Sequence, residues 1–372
     1  MGGFDRIIHL RATEKCDLRC KHCFVPPNTT VMEEGQIIAQ VEAVLASMPE
    51  RSNILLQWHG GEPTLLPPTM VGRIITQLNF SAERQGLRLH HGIQSNLTAL
   101  YKSSELHKSG WIQLLGKAFD PDQIGVSFDF GLRGTMAEAI FEFALKEIMS
   151  DQEIQPWVTM TLARQLYERL MDDPLSVLKR FGQVRGIRFE PLSHQGYARD
   201  HWDEIGISYT QRCEAMVNVL NAWWPRRAYL PEVSPLGEML GSLLGEVSTS
   251  ACLGQQSVSM TEIDQLGTHE RCIALQGQPH NPCIPLSCLN CEWYEVCGYG
   301  CPALPFLDVD EASASCSRPS PMTCMDALMP RSQDAMERSV HVGECRGGAT
   351  LWHACRQLLQ QSQTTPSGTD HG

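Results

Sequence analysis

Residues Cys16 to Phe24 read CDLRCKHCF, and this short segment places three cysteines within eight residues, spaced C-x3-C-x2-C. No other cysteine lies nearby in the sequence. Soft thiolate ligands suit iron–sulfur clusters and zinc. Three thiolates can hold three irons of a [4Fe–4S] cube and leave the fourth iron open to a further ligand, which favours chemistry at that iron. A zinc site completed by His22 or by a distant residue stays an alternative from this segment alone.

The segment follows the first of six strand-like stretches. Strands are predicted at 4–12, 53–59, 87–96, 123–130, 157–163 and 186–192, with helical stretches between them. Thr30 and Glu33 form a capping-box pattern that predicts the start of the first helix. Strands alternating with helices favour a parallel sheet. We therefore predict an α/β fold, a partial (β/α)6 TIM-type barrel over residues 1–195, followed by a small cysteine-rich iron–sulfur domain.

Polar residues lie at the carboxyl ends of several predicted strands, where barrels of this type carry their active sites. Besides the cysteine segment they are Gly60, Gly61, Glu62, Gln94, Asn96, Ser127, Asp129 and Glu190. Polar ends on five strands of one predicted rim indicate a functional site there.

The remainder of the chain is organised differently. Residues 196–249 are predicted to form a connecting helical region with a helix over 209–224. Residues 250–320 are rich in cysteine, and residues 321–372 are expected to form a C-terminal helix and a disordered tail.

The composition restricts the partners of the protein. A net charge of −12 argues against nucleic acid, because phosphate contacts need a basic face. The sequence shows no membrane-spanning run and no secretory signal, so we expect a cytoplasmic protein with no membrane partner. Ten of the 15 cysteines lie in tight groups, which in a cytosolic chain favours metal ligands over disulfides.

The cysteine segment and Gly60-Gly61-Glu62-Pro63 together resemble the radical S-adenosylmethionine superfamily. The segments QSNLT at 94–98 and VSFDF at 126–130 extend the resemblance, although Ser95 and Leu97 replace the usual Thr and Gly. It implies that Cys16, Cys20 and Cys23 hold a [4Fe–4S] cluster whose open iron binds S-adenosylmethionine (AdoMet). The residues expected to bind AdoMet are Phe24, Gly60, Gly61, Glu62, Pro63, Asn96 and Ser127. Taken alone, the Gly-Gly-Glu-Pro segment could be an ordinary turn and Ser127 a buried strand serine.

The C-terminal cysteines resemble the SPASM extension of the same superfamily, which carries two auxiliary [4Fe–4S] clusters. The resemblance assigns one auxiliary cluster to Cys288, Cys291, Cys297 and Cys316, and the other to Cys252, Cys272 and Cys301. Relatives often have a further cysteine where this chain has Val258. The second cluster therefore has either an open iron or a displaced ligand such as Cys283. Without the N-terminal half, a pair of zinc knuckles would fit this region equally well.

The resemblance implies an oxidoreductase that cleaves AdoMet and uses the 5′-deoxyadenosyl radical to remove hydrogen from a peptide side chain. Sulfatase-activating relatives tend to have an Asp where this chain has Ile273. Cross-linking of a ribosomally made precursor peptide is therefore the first expectation, and Ser or Cys oxidation on a protein is the alternative. No catalytic base is identified.

Two further hypotheses stay open: radical chemistry on a small molecule, and a redox sensor or electron carrier without enzyme activity. A mere carrier has no need of the Gly60–Pro63 segment, which favours an enzyme. The expected partners are the peptide or protein substrate, an electron donor such as flavodoxin or ferredoxin, and a separate leader-binding protein, because few residues precede the cysteine segment.

Overall fold

The computed structural model describes residues 3–25, 27–134, 136–150, 154–245, 259–270, 351 and 353–361. The chain divides into two compact units, each built from separated segments. The first consists of Met1–Leu166, Gln183–Gly206 and Ser257–His280, and the second of Tyr167–Gly182, Ile207–Gln256 and Asn281–Gly372. Within the described ranges, no helix combines the length and the apolar character that crossing a bilayer requires.

The β-strands are β1 Arg6–Thr13, β2 Asn53–Gly60, β3 Arg88–Ser95, β4 Ile124–Ser127, β5 Trp157–Leu162, β6 Gly186–Pro191, β7 Glu232–Ser234, β8 Ser259–Asp264 and β9 Gly267–His269. In the first unit they are ordered β6-β5-β4-β3-β2-β1-β8-β9. Neighbouring strands from β6 to β8 run parallel, and β9 pairs antiparallel with β8. Carboxyl ends of parallel strands share one edge, so the loops after β1 to β6 meet there.

The α-helices are α1 Glu34–Leu45, α2 Pro68–Arg84, α3 Thr98–Lys102, α4 Glu105–Ala118, α5 Ala137–Ile148, α6 Arg164–Asp172, α7 Pro174–Arg180, α8 Tyr197–Asp200, α9 Trp202–Ile205, α10 Tyr209–Trp223 and α11 Leu236–Leu243. Short 3-10 turns cover Pro63–Leu65, Pro121–Gln123 and Trp224–Arg226.

Strand β1 shows how the sequence divides the sheet into two faces. Ile8 and Leu10 are fully buried, whereas His9 and Arg11 between them are only partly buried. Successive residues of a strand point to opposite faces. The apolar residues therefore build the core on one face, and the polar residues are presented together on the other.

The predicted fold class is confirmed: six parallel strands separated by helices form the sheet in chain order. The capping-box prediction is wrong. Helix α1 begins at Glu34 with Glu33 as its N-cap and has no side-chain cap. The main chain around Thr30 instead pairs with the end of β1, just before the cysteine segment: the Thr30 carbonyl accepts from the Glu14 N–H at 2.9 Å, and Val31 bridges Thr13.

Strand β8 was not anticipated from the sequence. It lies against the free edge of β1, in register from Arg6 opposite Ser259 to Leu10 opposite Ile263. The strand lies within the stretch assigned to the cysteine-rich region, yet it belongs to the first compact unit.

The described part of the second unit includes α10, as the pattern over 209–224 predicted. Ser208 and Gln211 form a reciprocal capping box at its start. Residues 353–361 are also helical.

Candidate functional site

The cysteine loop, residues 14–24, follows β1 and is bound to the end of β2 through the main chain. The Gly61 N–H donates to the Thr13 carbonyl at 2.8 Å, and the Glu62 N–H donates to the Lys15 carbonyl at 2.7 Å. These bonds bring the two segments singled out from the sequence into direct contact.

Close approach of these backbones explains both glycines. A Cβ at Gly60 would lie 2.3 Å from the Thr13 oxygen, and one at Gly61 would lie 2.1 Å from the Lys15 oxygen. Gly60 also has a φ of 116°, which side chains disfavour. The glycines are therefore required by the cysteine loop itself, independently of any ligand.

The three thiols of the loop lie close enough to influence one another. Burial raises the pKa of Cys16 to about 12 and that of Cys20 to about 11, and it raises the pKa of Cys23. Charge on a second cysteine of the loop raises each of these pKa values further. A metal that binds thiolates would displace these protons and offset the mutual repulsion.

The donor set of the loop, three thiols on one short segment, is one that an iron–sulfur cluster takes. In the part of the chain that the structure describes, no group of three or more His, Cys, Asp and Glu side chains is placed to hold one metal ion. His22, the residue that could have completed a zinc site, lies 3.3 Å from Asp129 through Nε2.

Glu62 binds the end of β2 to the end of β3. Its buried Oε1 accepts from the Thr64 N–H at 2.9 Å, the Thr64 hydroxyl at 2.6 Å and the Ser95 hydroxyl at 2.8 Å. Its Oε2 accepts from the Asn96 N–H at 2.7 Å. Burial raises the pKa of Glu62, and these donors act in the opposite direction. The carboxylate therefore works mainly as an internal brace of the rim.

Asn96 extends the hydrogen-bond network of Glu62 to the cysteine loop. Its Nδ2 lies 3.6 Å from the Cys16 Sγ and 3.1 Å from Asp17 Oδ1. Asp17 also accepts from the Thr98 hydroxyl at 2.7 Å and from Lys102 at 2.8 Å. Since Asn96 donates to a thiol expected to be a ligand, it can influence the electronic properties of a metal bound there.

Asp129 and Arg133 support the loop from the end of β4. Arg133 Nε donates to Asp129 Oδ2 at 2.7 Å, and Asp129 Oδ1 accepts from the Thr161 N–H at 2.6 Å. The guanidinium lowers the pKa of both Cys20 and Cys23, against the larger effect of burial. The loop thus has a buried cation beside its thiols.

Two predicted contact residues have other partners along the rim. Ser127 accepts from Gln94 Nε2 at 2.6 Å. The Phe24 ring lies 6.2 Å from the His59 ring, and the Cys23 carbonyl before it accepts from the Tyr197 N–H at 2.9 Å.

An ion network connects the cysteine loop to β8. Arg11 pairs with Glu14 at the start of the loop, with Glu262 at 2.8 Å and with Asp264 at 3.6 Å. The three carboxylates are buried, and the Arg11 side chain is 11% exposed. In the sequence β8 and β9 lie between Cys252 and Cys272, so Arg11 connects the first cysteine loop to a hairpin within the stretch that carries the second cysteine group.

The structure thus brings together Cys16, Cys20, Cys23, Gly60, Gly61, Glu62 and Asn96, with Phe24, Pro63 and Ser127 on the same rim. The second cysteine group, Cys252, Cys272, Cys288, Cys291, Cys297, Cys301 and Cys316, lies outside the described residues, as do Val258, Ile273 and Cys283.

Sequence reasoning missed Arg11, Arg133 and Glu262. Arg11 had one local signal, a charged residue within an otherwise alternating strand. Arg133 lies four residues after its partner Asp129, so that pair is local in sequence, whereas Glu262 had no signal because Arg11 is 251 residues away.

Comparison with solved structures assigns the fold. The chain is similar to anSMEcpe with bound AdoMet and Kp18Cys peptide, with a TM-score of 0.65 at 13% identity over 97% of this chain and 99% of that one. The same protein with AdoMet and Cp18Cys peptide matches with a TM-score of 0.63 at 14% identity, over 96% and 98%. Streptococcus suis SuiB bound to S-adenosylmethionine matches with a TM-score of 0.51 at 13% identity, over 81% and 76%.

Family models and curated protein sequences return no match to this chain. The likeness therefore rests on three-dimensional structure, and it extends over nearly the whole length of anSMEcpe. The chain has the fold of the radical S-adenosylmethionine enzymes.

Proposed function

We propose that this protein is a radical AdoMet enzyme that modifies a peptide side chain. One observation carries the proposal: the three-cysteine loop, the Gly60–Glu62 segment and Asn96 meet at the carboxyl ends of β1, β2 and β3. Gly60, Gly61 and Glu62 also hold the cysteine loop in place, so the support comes from all three segments meeting at one rim and not from their presence alone. The solved structures of similar fold contain AdoMet, and two also contain a peptide, which supports this substrate class.

Each residue of the rim has a role in the proposal. Cys16, Cys20 and Cys23 would hold a [4Fe–4S] cluster. The backbone of residues 60–63, with Phe24, Asn96 and Ser127, would orient AdoMet. Such a cluster, once reduced, would supply the electron that cleaves AdoMet and thereby the chemistry that removes hydrogen from an unactivated carbon. The chain itself fixes the geometry through Glu62 and holds the loop through Arg11 and Arg133.

The C-terminal cysteines are proposed to hold up to two auxiliary clusters, in the ligand sets given above. An electron donor such as flavodoxin or ferredoxin, and a separate leader-binding protein, remain proposed partners.

The test is anoxic reconstitution with iron and sulfide followed by reduction in the presence of AdoMet. We expect about three cubane clusters per chain and release of 5′-deoxyadenosine. Changing Cys16, Cys20 and Cys23 together to Ala should abolish that release and leave the auxiliary iron in place. Cys355→Ala, a buried cysteine of the helical residues 353–361, is the control and should keep both. Continued AdoMet cleavage by the triple variant would show that the cluster site is assigned wrongly.

Two reactions on the peptide remain in competition. Cross-linking of a precursor peptide is our first choice, because Ile273 occupies the position where sulfatase-activating relatives tend to have Asp. Oxidation of Ser or Cys to an aldehyde is the second, supported by the fold similarity to anSMEcpe. Treating the product with a hydrazide reagent separates them, since only an aldehyde forms a hydrazone. A reaction on a small molecule would leave every candidate peptide unchanged in mass.

A further inference from the structure

A short turn after α10 exposes an unusual group of side chains. Residues 224–229, here named the Trp224 turn, read WPRRAY. Tyr229 is 89% exposed, Arg226 and Arg227 are exposed, and Trp224 is half-buried. Trp, Tyr and Arg are the residue types that most often dominate the binding energy of protein interfaces.

The two arginines of the turn have no carboxylate partner in the part of the chain that the structure describes. Arg226 Nη1 donates to the Ala222 carbonyl at 3.1 Å, and Arg227 Nη1 donates to the Trp224 carbonyl at 2.8 Å. This is notable in a chain with 42 acidic and 30 basic residues. Two adjacent guanidinium groups without a carboxylate among the described residues, on an acidic protein, are complementary to a partner that carries carboxylates.

The turn is also held in place before any partner arrives. The Arg227 Cζ lies 3.9 Å from the centroid of the Trp224 ring, a close cation–π stack. The buried Trp223 donates from Nε1 to the Pro231 carbonyl at 2.9 Å, which joins the two ends of the turn. Tyr229 donates its N–H to the Arg226 carbonyl at 2.9 Å. The main chain of the turn and the stacked Arg227 and Trp224 side chains are therefore ordered before binding, which lowers the entropy cost of docking.

We propose that the Trp224 turn is a docking surface for an acidic segment of the peptide substrate. The inference rests on the proposed function, since it assumes a peptide substrate. Arginine forks match carboxylates in two-point contacts, and the Trp and Tyr rings supply apolar surface for the neighbouring side chains of the segment. A nucleic acid fits poorly, because two arginines on a chain of net charge −12 do not form the basic face that phosphates require.

The experiment measures binding of a fluorescein-labelled synthetic peptide rich in glutamate, by anisotropy, to the full-length protein. The same peptide with every glutamate replaced by glutamine is the ligand control. We expect Arg226→Glu with Arg227→Glu to weaken binding of the acidic peptide at least about tenfold, which corresponds to the loss of one charge-assisted contact. We expect the glutamine peptide to bind weakly to every variant, and added salt to weaken binding of the acidic one.

Arg84 on α2 offers a matched control, because its Cζ lies 5.7 Å from the ring of the exposed Phe80. Arg84→Glu changes a similar surface stack in the first unit and should leave binding unchanged. The proposal would be overturned if Arg84→Glu and the double variant lost peptide affinity equally, or if the double variant bound the acidic peptide as wild type does. Equal affinity of the wild-type protein for the glutamate and glutamine peptides would overturn it too.

AdoMet cleavage in the absence of peptide keeps this proposal distinct from the proposed function. The double variant should release 5′-deoxyadenosine at the wild-type rate, since the turn takes no part in holding the cofactor. Lack of cleavage by the wild-type protein would count against the proposed function and leave the binding result interpretable. Lost cleavage only in the double variant would contradict a docking role.

Discussion

At the scale of single residues, the hydrogen bonds of Glu62 and Asn96 show how the rim is held. Glu62 accepts hydrogen bonds from groups on its own turn and on the end of β3. Asn96 donates its N–H to Glu62 and its side-chain amide to the Cys16 sulfur, which connects the two. Buried carboxylates with several donors are rigid, because leaving any donor unpaired is costly. The position of the loop thiol is therefore determined by residues far from it in sequence.

Asn96 should influence the reduction potential of a cluster on the cysteine loop. Hydrogen bonds to ligand sulfur stabilise the reduced form, so Asn96→Ala should shift the potential to a more negative value. Redox titration followed by electron paramagnetic resonance measures this shift. Asn28→Ala is the control, because Asn28 also lies beside the loop but donates to Glu14. A similar potential in wild type and Asn96→Ala would show that the 3.6 Å contact has no electronic effect.

His91 should make the protein less stable in acid. Its ring is buried on β3, accepts from Trp58 Nε1 at 3.4 Å and contacts Asn79 Oδ1 at 2.8 Å, and burial lowers its pKa to about 3. In the unfolded chain the His91 ring takes up a proton near its ordinary pKa of 6.5. In the native protein the ring takes up that proton only near pH 3. Stability should therefore be complete above the unfolded pKa and fall as pH decreases, by about 1.4 kcal/mol per pH unit for this proton.

Urea unfolding at a series of pH values measures the effect of His91. His91→Gln should reduce the slope of stability against pH by about one proton. Asn53→Ala changes a residue without a titratable group on the neighbouring strand β2 and should leave the slope near that of wild type. An unchanged slope in His91→Gln would show that the buried ring is not the source of the acid sensitivity.

At the scale of secondary-structure elements, β8 gives the sheet an edge that no local pattern had indicated. It pairs with β1 along five residues, and Arg11 adds side-chain contacts to Glu262 and Asp264. Arg11 also pairs with Glu14, so one guanidinium holds both the strand and the cysteine loop.

Removing Arg11 should destabilise the protein and loosen the loop. Arg11→Gln leaves buried carboxylates without their cation, at a cost of about 3 to 5 kcal/mol. Arg6→Gln is the matched control on the same strand, because Arg6 also reaches the hairpin but pairs with the exposed Glu270. That change should cost about 1 kcal/mol or less. Equal losses in urea unfolding would contradict a special role of the Arg11 network.

At the scale of the whole molecule, the two compact units are interleaved along the chain. The first unit needs residues 257–280 as well as the first 166, so its sheet is completed only after most of the second unit's described segments have been made. A division of this chain at a single point cannot separate the units.

A chain ending at residue 245 should therefore be defective in the first unit. It lacks β8, which leaves the β1 edge unpaired and open to aggregation, and Arg11 loses two of its carboxylates. Amide hydrogen exchange at Ile8 and Leu10 should be faster than in the full chain. A chain ending at residue 270 keeps β8 and β9 and should retain slow exchange there. Equal protection in both shortened chains would show that β8 adds nothing to β1.

The sequence by itself determined the alternation of strands and helices, the spacing of the cysteines and the position of the Gly-Gly-Glu-Pro segment after β2. These features are local, since periodic burial and ligand spacing are written within a few consecutive residues. The capping box failed even at this range, because Thr30 pairs with the cysteine loop.

Only the tertiary structure decided that Gly60 and Gly61 are needed by the cysteine loop, that Glu62 is bonded to the end of β3, and that His22 is directed to Asp129. It also placed β8 beside β1 and Arg11 among three carboxylates. Each of these facts depends on a pairing between segments distant in sequence. Such pairings are selected by the burial and hydrogen bonding of the whole fold, and they leave no periodic signal in either segment alone.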